Sequence, residues 1–90
     1  MIKKRFRIYG HVQGVGFRYF TWQEAKKLGL KGSVRNRIDG SVEVIAQGDE
    51  TQMADFEGWL NKGPKTAKVE RVLVFEQAEI KMSNFSIVRR

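Results

Sequence analysis

The chain contains no cysteine, one histidine and one proline. Without cysteine there can be no disulfide, no thiolate nucleophile and no thiolate metal site. A single histidine excludes a multi-histidine metal centre. The lack of cysteine suits a reducing compartment, and a cytoplasmic location is expected. No apolar run is long enough for a signal-peptide core or a membrane span, and the first residues, Met1-Ile2-Lys3-Lys4-Arg5, are charged. Repeats, low-complexity tracts and linkers are absent as well. Acidic residues are few, 10 Asp and Glu against 17 Lys and Arg, for a net charge of +7. Such a surface attracts nucleic acid, acidic membranes or phosphorylated small molecules, or it serves solubility alone. The basic residues are scattered: Lys3 to Arg7, Lys26 and Lys27, Arg35 and Arg37, Lys62 to Arg71, Arg89 and Arg90. They form no single block along the chain, which weighs against a nucleic-acid partner.

What the chain does have is enough apolar material for one modest core: 90 residues, 41% hydrophobic and 11% aromatic. That length fits a single domain spanning residues 1–90.

The hydrophobic pattern alternates over residues 3–9, with Phe6 and Ile8 on one face and Arg5, Arg7 and Tyr9 on the other, as in a half-buried strand. From about Arg18 to Leu28 the spacing turns helical, with Phe17, Phe20 or Thr21, Ala25 and Leu28 on one face and Gly29 as the stop. Residues 31–38 alternate again and put Gly32, Val34, Asn36 and Ile38 on one parity. Asp39-Gly40 signals a hairpin turn into a return strand, Ser41 to Gln47, with Val42, Val44 and Ala46 inward. A second helix is expected from Glu50 to Asn61, capped by Asp49 or Thr51 and striped by Met53, Phe56 and Leu60 with Trp59 beside them. Gly63-Pro64 ends it. Lys68 to Glu76 reads as a strand, and its run Val72-Leu73-Val74-Phe75 suggests burial on both faces or a central place in the sheet. Phe85 to Val88 reads as a short final strand. The order β-α-β-β-α-β plus one strand predicts an α+β, ferredoxin-like sandwich: an antiparallel sheet with two helices on one face.

Between the first strand and first helix lies the run Gly10-His11-Val12-Gln13-Gly14-Val15-Gly16-Phe17-Arg18. Closely spaced glycines let a backbone turn with positive φ and approach a ligand. Amide N–H groups can then converge on an anion, aided by the positive end of the following helix. Arg18 adds a planar, permanently charged fork suited to phosphate oxygens. Neither a GxGxxG fingerprint nor a Walker A loop is present, since Tyr19 stands at the third glycine position and no Gly-Lys-Ser/Thr follows. The competing reading is a tight strand-to-helix connection. The run holds no acidic residue and ends on arginine, which favours an anion site.

Asn36 is out of place by propensity at an inward strand position. It either hydrogen-bonds the hairpin or holds a water or substrate oxygen beside the glycine loop. Strands one and two flank the same region of sheet in this topology, which brings Asn36 toward Arg18. His11, at the loop mouth, is either a general base or an exposed basic residue. Trp22 and Trp59 read as packing residues. Asp39, Asp49 and Glu50 read as turn and cap residues. Ser41 and Thr21 have no His/Asp partner near them, so no nucleophilic triad is expected.

The Gly10–Arg18 run closely resembles the signature of the acylphosphatase family. The block Gly32-Ser33-Val34-Arg35-Asn36-Arg37-Ile38-Asp39-Gly40-Ser41-Val42 resembles that family's second signature, with Gly48 in register. Gly63-Pro64 and Phe85-Ser86-Ile87 resemble its tail. The likeness covers essentially the whole chain. Ser33 departs from it, because the family usually has an aromatic residue there. Ser33 should point away from Val34 and Asn36, so packing rather than chemistry is expected to change.

The resemblance implies hydrolysis of the carboxyl-phosphate bond of acyl phosphates without metal, cofactor or covalent enzyme intermediate. It implies that Arg18 binds the phosphoryl group and that the amides of Gln13, Gly14, Val15, Gly16 and Phe17 complete the cradle. Asn36 would orient the attacking water. A free-standing monomer is expected, with phosphate or sulfate as a site ligand and no membrane or nucleic acid as partner. The rival readings are a nucleic-acid module and a regulatory anion-binding domain. The first is weakened by the lack of the aromatic-rich RNP1 pattern, the outward positions offering Tyr9 and Val72 or Val74.

Overall fold

The computed structural model describes residues 1–78 and 82–89. Its elements are β1 (Ile2–His11), α1 (Phe17–Leu28), β2 (Lys31–Asn36), β3 (Val42–Gly48), α2 (Glu50–Lys62), β4 (Lys68–Glu76) and β5 (Phe85–Val88). The strands form one sheet in the order β4-β1-β3-β2-β5. The β4–β1, β1–β3 and β3–β2 pairs are antiparallel, as expected of the ferredoxin-like plan. β5 departs from an all-antiparallel sheet, because it pairs with β2 in parallel.

Strand alternation sends Phe6 and Ile8 of β1, Val34 of β2 and Val42, Val44 and Ala46 of β3 into the core, all buried. The helices supply Phe17, Thr21 and Ala25 from α1 and Met53, Phe56 and Leu60 from α2. Phe56 meets Phe6 and Phe85 edge-on, at centroid distances of 6.1 and 6.2 Å. One α2 side chain therefore ties β1 to β5, a geometry worth about 0.5–1.5 kcal/mol per pair beyond the buried area. The Asp49 side chain accepts from the Gln52 amide while the Gln52 side chain accepts from the Asp49 amide, a capping box that fixes the start of α2. At the far end of α1, Gly29 adopts the left-handed conformation anticipated for its stop.

Three sequence readings are corrected. The Val72–Phe75 run does not lie at the sheet centre: β4 is an edge strand, and Val74 is 46% exposed. Its apolar residues divide by parity. Val72 and Val74, expected from sequence at outward positions, instead pair with Ile8 and Phe6 toward the helices, and it is Leu73 and Phe75 that pair with Arg7 and Arg5 on the open face. Ile38 is fully exposed instead of inward, because β2 ends at Asn36. The chain then turns through an Arg37–Gly40 backbone bond, and strand parity no longer applies.

The topology also places the site. β1 and β2 each run antiparallel to the intervening β3, so they point the same way, and β5 runs with β2. The C-terminal ends of all three strands therefore lie at one end of the sheet. The glycine loop, Asn36 and Val88 meet there.

Candidate active site

β1 and β2 are separated by β3, a gap of roughly 10 Å at normal strand spacing. At the end of the sheet this gap becomes a cavity of about 170 Å³ lined by Val12, Gly14, Gly16, Phe17, Arg18, Tyr19, Asn36, Ile87 and Arg89. Gly14 and Gly16 both have positive φ, 76° and 79°. Such values cost a residue with a Cβ about 1–2 kcal/mol, so glycine here lets two reversals occur within three residues. A Cβ on Gly14 would meet nothing within 4 Å. The glycine therefore serves backbone conformation and not a close approach of neighbouring atoms.

Gly16 is the N-cap of α1, and no side chain caps that end. Phe20 N–H donates to Gly16 as the first helical bond. The amides of Phe17, Arg18 and Tyr19 precede it and have no intrahelical acceptor. These three residues, Arg18 among them, line a cavity that Arg89 also borders, with no carboxylate among its described lining residues. This is an environment for an anion.

Arg18 is half-buried, and its Nη1 donates to the Val88 carbonyl at 3.2 Å. A guanidinium carries five N–H donors, so the anchor leaves most of the fork for a ligand. Four residues along α1, Trp22 Nε1 donates to the Phe85 carbonyl at 3.1 Å. Together the two side chains fasten α1 to β5 and fix the direction of the Arg18 side chain.

The cradle is braced from behind. Gln13 Nε2 donates to the carbonyls of Arg37 and Ser41, each at 2.8 Å. Thr66 Oγ1 donates to the Val15 carbonyl at 2.7 Å. Gln13 thus joins the loop to the β2–β3 hairpin, and Thr66 engages one loop carbonyl. The hairpin is itself internally bonded. The Asp39 carboxylate accepts from the Ser41 amide and hydroxyl and from Arg37 Nη1. Those Ser41 hydrogen bonds, with the nearby Arg37 charge, hold the Asp39 carboxyl below its ordinary value of 3.8.

Asn36 lines the same cavity as Arg18, and it also lines the adjoining groove with Gln13. Its Oδ1 is shielded from solvent, and no described residue donates to it. A buried amide oxygen without a partner is costly, so this atom is set to accept from a donor that enters the cavity.

Of the expected binding residues, Gly14, Gly16, Phe17 and Arg18 line the cavity. Gln13 and Val15 belong to the loop but engage the hairpin and Thr66. His11 is exposed and lies outside the cavity lining. Asp49 caps α2, and Trp22 and Trp59 pack, as read from sequence. Ser33 stands on the face opposite Asn36, paired with Ile45 and Ser86. Tyr19, Ile87, Arg89 and the Thr66 brace were not anticipated. The only sequence signal for Arg89 was its charge, and Arg90 lies outside the described residues.

The chain is 56% identical over 88 residues to an acylphosphatase of Pasteurella multocida, covering 97% of this chain and 98% of that protein. The crystal structure of acylphosphatase from Bacillus subtilis superposes with a TM-score of 0.93 at 41% identity, covering 99% and 100% of the two chains. Full-length HypF, in its phosphate- and nucleotide-bound form, matches with a TM-score of 0.87 at 27% identity; the match covers 98% of this chain but 12% of HypF. The acylphosphatase family model matches residues 4–87. The chain therefore belongs to the acylphosphatase family.

Proposed function

We propose that this acylphosphatase hydrolyses small acyl phosphates in the cavity between the glycine loop and Asn36. In this reading Arg18 and the amides of Gln13 to Phe17 bind the phosphoryl oxygens, and Asn36 Oδ1 accepts a hydrogen bond from the attacking water. The observation that carries it is the meeting of Arg18 and the unpartnered Asn36 oxygen in one cavity.

The chemistry asks little of the protein. A carboxylate is a good leaving group, so no strong general acid is required. Water oxygen forms a bond to phosphorus, the bond from phosphorus to the acyl oxygen breaks, and a carboxylate and inorganic phosphate result. Among the described residues, none that lines the cavity carries a carboxylate or imidazole to serve as base. A nonbridging phosphoryl oxygen of the substrate takes the water's proton. The protein contributes in-line positioning and neutralisation of charge on the transferring group. Arg18 and the helix-start amides supply the second, in a site organised before substrate arrives.

Turnover of benzoyl phosphate in ¹⁸O-labelled water tests this. Attack at phosphorus puts the label in inorganic phosphate. Label in benzoate would place the attack at the carbonyl carbon and overturn the scheme, and phosphate binding without turnover would make the cavity a regulatory anion site.

A further inference from the structure

The scattered basic residues of the sequence are gathered by strand alternation. Phe6 and Ile8 of β1 face the helices, so Arg5, Arg7 and Tyr9 face away from them. Directly across in β4, Phe75, Leu73 and Arg71 pair with Arg5, Arg7 and Tyr9. On the other side Arg7 pairs with Glu43, and Glu43 pairs with Arg35. The open face thus brings together four arginines and two aromatic rings, with one carboxylate at these register positions.

Three of these cations already lie over the two rings. The Arg5 and Arg7 guanidinium carbons lie 4.8 and 5.2 Å from the Phe75 ring centroid, and that of Arg71 lies 5.3 Å from the Tyr9 centroid. Arg5 Nε and Arg7 Nε are shielded and make no hydrogen bond among the described residues. Glu43 is nearly buried between Arg7, at 4.0 Å, and Arg35, at 2.8 Å. Arg71 is exposed, and the Arg35 side chain keeps 51% of its surface. The exposed Arg71 guanidinium, held over the Tyr9 ring, is placed to stack on a nucleobase. The surplus cations suit the phosphates between bases.

We propose that the open face of the sheet, centred on Tyr9, Arg71, Phe75, Arg5 and Arg7, binds single-stranded nucleic acid, separately from the anion site at the end of the sheet. Aromatic rings set among the arginines offer unpaired bases flat surfaces to stack on while the cations meet the phosphates between them. None of the five residues lines the cavity of the glycine loop.

Fluorescence anisotropy of a labelled 12-mer oligouridylate tests this, with the matching deoxy oligomer, a duplex and vesicles containing phosphatidylserine run in parallel. The full chain is expected to bind the RNA or DNA single strand in low salt, more tightly than the duplex, and with the same affinity in inorganic phosphate as in chloride of equal ionic strength. The logarithm of affinity should fall with log salt by about 0.7 for each phosphate neutralised. Arg71→Gln should reduce that slope by about one such increment. Tyr9→Leu should weaken binding about 5-fold or more, the cost of losing a stacking platform. Both variants should keep the wild-type thermal midpoint and benzoyl phosphate turnover. Absence of binding in low salt, affinity unchanged in both variants, displacement by phosphate beyond that by chloride at equal ionic strength, or binding to vesicles or duplex but not to the single strands would each overturn the proposal.

Discussion

Arg18 Nη1 donates to the carbonyl oxygen of Val88, 70 positions away in sequence, at 3.2 Å. The cation of the cradle is therefore held by β5, the strand added to the ferredoxin-like plan. A point charge cannot hold this carbonyl and also present a planar fork to phosphate oxygens. Arg18→Ala is expected to lower kcat/KM for benzoyl phosphate on the order of 10²–10³-fold, and Arg18→Lys should recover little of it. Steady-state kinetics of the two variants checks this, and a fully active lysine variant would show that charge alone suffices.

Gln13 acts from behind the loop. Gln13→Leu removes both bonds to the Arg37 and Ser41 carbonyls. The expected loss is about 1–3 kcal/mol of stability, at roughly 0.5–1.5 kcal/mol per bond, with a raised KM as the loop loses its register against the hairpin. Urea denaturation and kinetics on the same samples measure both effects.

These two contacts show what the sequence could and could not disclose. The strand alternation around Phe6 and Ile8 and the helical spacing of Phe17, Thr21 and Ala25 are local, so those elements were legible. Asn36 was legible because an amide stood where an apolar residue belonged. Ile38 was misread because the same parity was carried past the end of β2 into the turn. The place of β4 at the sheet edge, the brace from Thr66 and the arrival of Arg89 depend on pairing between distant segments, which no local pattern encodes.

The positive φ of Gly14, with open space where a Cβ would go, predicts a mild effect of Gly14→Ala. The variant should fold and lose about 1–2 kcal/mol, the cost of the left-handed conformation alone. Chemical denaturation measures it, and a loss far above this would reveal a contact at Gly14 beyond its backbone conformation.

Asp39 links the hairpin to acid stability. Hydrogen bonds from Ser41, with help from Arg37, lower its pKa below 3.8. A carboxyl with a depressed folded pKa adds stability that is fully present above its unfolded pKa and is lost as pH falls through the folded value. Asp39→Asn should therefore be less stable than wild type at neutral pH, and the gap should close below about pH 4. Urea midpoints across an acid series check the sign; a gap that widens on acidification would contradict it.

Ser33 sits on the open face between Ile45 and Ser86, away from Asn36. Ser33→Tyr should leave turnover unchanged and raise stability by about 0.2–1 kcal/mol through cross-strand packing. Thermal melts beside an activity assay measure both.

The central claim is that Asn36 makes an anion cradle hydrolytic, and the most direct measurement is Asn36→Ala assayed two ways, by turnover of benzoyl phosphate and by competitive inhibition with inorganic phosphate. The predicted result is a kcat about 10²-fold lower or less, as expected when a reacting group loses its positioning, with the phosphate inhibition constant unchanged. Normal turnover in Asn36→Ala, or a loss of phosphate binding equal to the loss of rate, would contradict the assignment of the water to Asn36.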